Sequence, residues 1–321
     1  MKFTIGFEKE DVTTLHSYWD EIIRTQQWSE GKFTKLFEER WSRHNRLASV
    51  AFSSWSGGAL AALEYFDVKG HTVLCPSNTF MATPLSVIKA GGNVEFVDCN
   101  RNDLCMSLQD LEAKIGKHNP RAVWLVHIGG HIAFQVEAIA RVCHERGIIL
   151  LEDCAHAHGA SWNGRRPGSW GDAGVYSFYA TKTVSTGEGG MLVSKDPGLV
   201  EFARQYRNYG KPHYRVHGLN YRMSEFTAAM GCLQANRVEE IVAWKNEYAK
   251  VELDPRYLDR VRLPAGMISG YYKYVVFEPI ERSTGRVYDQ PCHKLLGRND
   301  VLPNTEWAAV NHWCVPLYYK G

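Results

Sequence analysis

Six short, nearly unbroken apolar runs constrain this chain more than any other feature. Each closes on a turn or polar residue, and stretches of helical spacing separate several of them. The runs are HTVLCP (71–76), NVEFVDC (93–99), AVWLVHIGG (122–130), GIILLEDC (147–154), GVYSFYATK (174–182) and GMLVSK (190–195). Continuous apolar runs of this length suit strands buried on both faces, as happens when helices cover both sides of a parallel sheet. Between them, residues 85–90, 108–115 and 136–146 read as amphipathic helices, the last stopped by Gly147. The alternation predicts an α/β fold with a mostly parallel sheet sandwiched by helices.

At about 150 residues per domain, 321 residues make two domains. Beyond Leu233 the pattern changes: a polar helical stretch, ANRVEEIVAWKNEYAK, leads into YYKYVVFEPI, whose β-branched and aromatic residues read as a strand. The expected division is an N-terminal helical segment at 1–30, a large domain at 31–235 and a small α+β domain at 236–321. The first fifty residues read as helical and aromatic, with Trp19, Trp28 and Trp41, and are expected to cover the small domain or a subunit contact. Lys and Arg total 37 against 35 Asp and Glu, a net charge of +2, which argues against nucleic acid or an anionic membrane as the main partner. The start MKFTIGFEKEDV carries acidic residues where a signal peptide needs an apolar core. No run of eighteen apolar residues appears, so a cytoplasmic location is expected. Eight cysteines without a CxxC pair read as reduced, mostly buried thiols, not as a zinc knuckle or a thioredoxin-type site.

In open α/β sheets ligands bind at the carboxyl ends of the strands, so the residues that close the apolar runs are the candidates. GIILLEDC ends on Glu152 and Asp153, followed by Ala155, His156 and His158. A carboxylate there is costly to bury without a partner. GVYSFYATK ends on Lys182, and the glycine-rich TGEGG follows. A lysine desolvated there titrates below its solution value and can act as a nucleophile or Schiff-base former. In SSWSGGALAALEYF, Ser56 and Gly57 are read as opening a helix, where free N–H groups and the helix dipole suit a phosphate. PSNTF ends its strand on an aromatic ring, Phe80. Each has a plain structural reading: a capping or ion-paired aspartate, a solvated lysine, an ordinary helix start, a core aromatic. Together they are what a phosphorylated pyridine aldehyde requires.

Over residues 31–234 the chain resembles the sugar aminotransferase family called DegT/DnrJ/EryC1/StrS, of the fold type I pyridoxal-phosphate enzymes. The motifs that carry the likeness are SSWSGGALAAL, PSNTFMATPLSVIKAGGNVEFVDC, VHIGG, LLEDCAHAHGASWNGRRPGSWGDAGVYSFYATKTVSTGEGGML and LNYRMSEFTAAMGCLQ. The resemblance implies a seven-stranded-type sheet and pyridoxal 5′-phosphate held as a Schiff base on Lys182, which then serves as acid and base. It implies that Asp153 keeps the pyridine nitrogen protonated, His156 contacts the ring or its 3′-oxygen, and Phe80 stacks on the ring. Ser56, Gly57 and Ser177 would bind the phosphate, and Asn220 would reach the phosphate of the neighbouring subunit's cofactor, so a homodimer is expected. The implied reaction is ping-pong transfer of an amino group from L-glutamate to a keto group of a nucleotide-linked deoxysugar.

For the sugar diphosphate, the basic and aromatic segment RNYGKPHYRVHG offers Lys211, His213, Arg215 and His217, with Arg207 before them; a solvated surface loop is the alternative reading. Glu188 either positions the lysine or closes a turn. The small domain is shorter than the resemblance leads one to expect, and His293 in PCH has no assigned role. A related sugar dehydratase, which carries histidine in place of the Schiff-base lysine, and a regulatory protein that keeps the fold without turnover are the alternatives; intact Lys182, Asp153 and Ser56 weigh against both. Cys154, His156 and His158 alternate along one extended segment, but no metal is expected.

Overall fold

The computed structural model describes residues 6–320. The helices are α1 (Lys9–Thr25), α2 (Lys32–Asn45), α3 (Trp55–Tyr65), α4 (Ala82–Lys89), α5 (Leu108–His118), α6 (Val136–Glu145), α7 (Pro197–Tyr206), α8 (Glu225–Tyr248), α9 (Cys292–Leu295) and α10 (Pro303–Val310). The strands are β1 (Ala48–Phe52), β2 (Thr72–Pro76), β3 (Asn93–Val97), β4 (Ala122–Val126), β5 (Ile149–Asp153), β6 (Ser161–Trp162), β7 (Ala173–Ser177), β8 (Gly190–Ser194), β9 (Met267–Ile268), β10 (Tyr274–Val276) and β11 (Trp313–Val315). Seven strands form one sheet in the order β1-β8-β7-β5-β4-β2-β3. Only β8 runs against its neighbours, pairing antiparallel with β1 and β7. Every residue of β4, β7 and β8 is buried, which is why their sequences show no polar alternation. The six apolar runs are six of these strands, and the three expected helices are α4, α5 and α6.

Two expectations about the N-terminal region are corrected. Residues 48–52 are a strand, not helix: ASVAF is a single short apolar run, too brief to show a period, and it takes its structure from pairing with β8. Nor is the segment only a cover for the small domain, which α1 reaches through Glu8 and Asp11 to Arg237 and through Glu8 to Lys320. Phe33, Phe37 and Trp41 recur every four residues along α2 and pack on the sheet face against Tyr176 and Phe178, with Trp41 ring centroids 5.1 and 5.0 Å from theirs. Helix α2 is thus a layer of the large domain. Glu225, the first residue of α8, fixes its start: the buried carboxylate accepts from the N–H groups of Gly31, Phe33 and Thr34 and from the Thr34 hydroxyl.

Helix α8 runs unbroken past residue 235 into a π-helical turn at Ala249–Leu253, so one rod carries both halves of the chain. Downstream, β10 pairs antiparallel with β11 and β9 with β6. Residues 270–273 dock on the turn after β4, where Gly270 N–H donates to Gly130 O and Lys273 N–H to Gly129 O. A Cβ on Gly130 would lie 2.5 Å from the Tyr272 nitrogen, and its φ of +115° is one that L side chains rarely adopt, so glycine is required there. Among the described residues no helix is long and apolar enough to cross a membrane.

Candidate active site

Because β5 and β7 are neighbours, the residues that close them come together. Asp153 closes β5 and Ser177 closes β7, and the loop after Ser177 carries Lys182. Antiparallel β8 begins at Gly190 opposite Ser177, which brings the TGEGG turn to the same edge. The start of α3 and the loop after β2 complete the ring. The space between them is a cavity of about 570 Å³ lined by Lys182, Asp153, His156, Phe80, Ser56 and Ser177. The structure therefore assembles six of the residues singled out in the sequence, from four separate segments.

Lys182 makes no salt bridge with any described residue; its Nζ lies 4.6 Å from the centroid of the Tyr272 ring. Burial pushes the ammonium down to about 8, Asp153 pulls it back up, and the charge of Lys273 pushes it further down. Burial raises the Asp153 carboxyl, while the Ala155 N–H at 3.0 Å, the Thr83 hydroxyl at 3.0 Å and the charge of Lys182 oppose that rise. Thr83 in turn is 3.0 Å from Thr79, one helical turn earlier. His156 is buried and held neutral by its desolvation. Its ring stacks on Tyr272 with centroids 4.1 Å apart, and its Nε2 is 3.4 Å from the Tyr288 hydroxyl. Its Nδ1 is buried without a hydrogen-bond partner.

Some of the candidate residues stand outside this cavity. Ser54, not Ser56, caps α3, and its hydroxyl accepts from the Gly57 N–H. Gly57 does not line the cavity; it packs closely, since a Cβ there would come 3.0 Å from Phe52 and from Tyr221. Ser56 is exposed at the cavity wall, and Phe80 is 64% exposed at its rim. Asn220, Lys211, His213, Arg215 and His217 are exposed and do not line this cavity. Arg207 is buried and bound to Glu38, a structural ion pair. Glu188 lines the rim while its carbonyl accepts from the Thr186 hydroxyl, closing the turn.

Residues not found from sequence also shape the site. Tyr272 and Tyr288 reach the cavity from the C-terminal third, and Thr83 supports Asp153 from α4. Thr83 stands four residues after Thr79, a spacing that places both on one helical side and was readable; the tyrosines carried no such signal. His293 proves to be a clip: its Nδ1 is 2.6 Å from the Ser77 hydroxyl, tying α9 to the loop that bears Phe80. Glu152, fully buried, accepts from the N–H groups of Gly168, Trp170 and Gly171 and contacts His127, so it pins a loop and does not face the cavity. With Cys154 these side chains come within 4.8 Å, but the Glu152 oxygens are already taken by those partners. Cys154, His156 and His158 do not converge: His158 sits among Trp41, Tyr176 and Phe178, away from His156 on Tyr272.

The donor set fits a phosphorylated aldehyde of pyridine. It offers an amine shifted toward its neutral form, a carboxylate held by two hydrogen bonds, a buried histidine nitrogen lacking a partner, and hydroxyls at a helix start.

The chain is similar to known proteins over most of its length. The model of the DegT/DnrJ/EryC1/StrS aminotransferase family matches residues 10–253. The chain is 31% identical over 254 residues to GDP-perosamine synthase of Escherichia coli O157:H7, covering 77% of this chain and 67% of the relative. It is 33% identical over 217 residues to a pleiotropic regulatory protein of Geobacillus stearothermophilus, covering 66% and 58%. These matches span 58–67% of the relatives' own lengths. The crystal structure of the aminotransferase TlmJ from Streptoalloteichus hindustanus superposes with a TM-score of 0.89 at 28% identity, covering 99% of this chain and 93% of that one.

Proposed function

Because the chain belongs to the DegT/DnrJ/EryC1/StrS aminotransferase family, we propose that it is a pyridoxal-phosphate-dependent aminotransferase that moves an amino group from L-glutamate to a keto group of a nucleotide-linked sugar. The observation that carries this reading is that Lys182 and Asp153 line one cavity, each sensing the other's charge. Pyridoxal phosphate, when bound, supplies an aldehyde that takes up amines and a ring that drains electrons from the adjoining carbon. Lys182 would hold the aldehyde, Asp153 the ring nitrogen, His156 the ring oxygen through its free Nδ1, Phe80 the ring, and Ser56 with Ser177 the phosphate. An amine that titrates near 8 can take a proton from the donor's α-carbon and give it back within one turnover. Asp153 would hold a proton at the ring nitrogen, and Tyr272 and Tyr288 would form the wall beside His156.

In this reading the enzyme is a cytoplasmic homodimer. The exposed positions Asn220, Lys211, His213, Arg215 and His217 are then free to serve the partner's cavity, Asn220 at the cofactor phosphate and the others at the sugar diphosphate. A lysine at 182 speaks against dehydration. The likeness to a pleiotropic regulatory protein supports a second reading, binding without turnover.

Purified protein supplied with pyridoxal phosphate is expected to turn yellow, with a near-visible band that borohydride abolishes and Lys182→Ala lacks. L-Glutamate should bleach the band, and a nucleotide-linked keto sugar should restore it. Asp153→Asn should keep the colour and lose on the order of a hundredfold in turnover. A protein that stays colourless overturns the reading; colour that no amino acid bleaches favours the regulator.

A further inference from the structure

A second, smaller cavity of about 40 Å³ lies behind the Tyr272 ring and shares Thr181, Lys182 and Tyr272 with the large one. Its walls carry three lysines, 182, 245 and 273. Lys245 projects from α8 and is only 6% exposed; its Nζ donates to a single acceptor, the Tyr271 carbonyl at 2.9 Å. Lys273 stands 5.3 Å from the centroid of the Tyr272 ring, on which Lys182 also bears. Among the described residues none of the three makes a salt bridge. The hydroxyls nearby are engaged elsewhere: Thr183 donates to Gly270 O and Thr284 to Cys314 O. Three ammonium groups converging on one small space, one of them almost wholly buried, are unfavourable unless an anion joins them. Burial and the charge of Lys273 push Lys245 down to about 7, so an anion placed beside it would favour its charged form.

We propose that this cavity is an oxyanion site that receives a carboxylate of the amino-acid donor while the donor's amine lies at Lys182. The volume is about that of three water-sized positions, enough for one carboxylate group and too small for a sugar or a base. Lys182 stands in both cavities, so an amino acid could place its nitrogen in one and its carboxylate in the other. Lys245 and Lys273 are then positioning residues for the donor. The identity of the donor rests on the proposed aminotransferase reaction; the oxyanion site itself rests on the lysines alone.

The test is the melting temperature of the full chain, with and without pyridoxal phosphate, against glutarate, which has the carboxylates of the donor and no amine. Inorganic phosphate and the neutral glutaramide serve as the other probes. Glutarate should raise the melting temperature of the wild type in a saturable way, glutaramide should not, and Lys245→Met and Lys273→Met should each weaken the apparent affinity at least tenfold. Without added anion, Lys245→Met should melt no lower than the wild type, because it removes an uncompensated buried charge. A structural role for Lys245 would do the reverse, lowering that baseline and leaving the glutarate response intact. In turnover, both variants should raise KM for glutamate and leave KM for the sugar unchanged. The proposal is overturned if glutarate has no effect, if wild type and variants respond alike, or if phosphate alone stabilises through these lysines. A chain that stays colourless with pyridoxal phosphate yet shows the lysine-dependent glutarate response keeps the oxyanion site and loses the aminotransferase.

Discussion

At the scale of single residues, the site works by setting two charges against burial. An ordinary lysine titrates at 10.5 and would be almost entirely protonated in a cell, unable to attack an aldehyde. Burial favours the neutral amine and brings Lys182 down to about 8, but the Asp153 carboxylate favours the charged form and holds it up. The sign of the response follows. Capture of pyridoxal phosphate by the apo chain should accelerate as pH rises, with its midpoint near 8. Asp153→Asn should move that midpoint lower and Lys273→Met should move it higher. Rates of colour formation across a pH series measure this, and a midpoint unmoved by Asp153→Asn would refute the coupling. Lys182 and Asp153 could be singled out in the sequence only together, because each alone reads as a solvated or capping residue and it is their co-occurrence at strand ends that departs from that. Phe80 was legible only from its place after β2, since alone it reads as core. Tyr272 and Tyr288 were not legible, because their approach to His156 depends on how the C-terminal third docks.

At the scale of elements, fixed points hold the surroundings of the site together. Glu225 gathers four hydrogen bonds at the start of α2, joining two helices separated by most of the chain. Glu225→Gln leaves one acceptor oxygen and strands buried N–H groups, so a loss of about 3 kcal/mol in urea unfolding is expected. A change below about 0.5 kcal/mol would show that water replaces the carboxylate. Gly130→Ala should be costlier than its added methyl suggests. The new Cβ would meet the Tyr272 backbone, not a yielding side chain, at a φ alanine disfavours. Expected are a drop of about 2–3 kcal/mol in stability and a weaker hold on the cofactor, read by spectral titration. The strands β2 to β5, β7 and β8 could be read because burial on both faces leaves an unbroken apolar signature. β1 could not, because its five residues become a strand only when β8 is beside them. Helix α2 was read as helix, yet its partner could not be, since a stripe of Phe33, Phe37 and Trp41 says that something is covered and not what.

At the scale of the whole molecule, all eight cysteines are free and buried, and desolvation raises every thiol above its ordinary value. Since the thiolate is the reactive form, a chromogenic disulfide reagent should find fewer than one reactive thiol in the native protein and eight after denaturation. Rapid native labelling would mean that the fold opens far more often than its packing suggests. The change of sequence pattern near residue 233 marks no break in the chain: α8 runs straight through that point, because a helix buried along much of its length has no reason to stop where the sheet does.

The paired glycines after β4 have one more effect. By accepting the 270–273 strip into a notch that no side chain occupies, they fix the backbone that carries Tyr272 and Lys273 and that offers the Tyr271 carbonyl to Lys245. A carboxylate entering the proposed oxyanion site would therefore meet a backbone whose ordering entropy has already been spent, leaving more of its binding energy for selectivity.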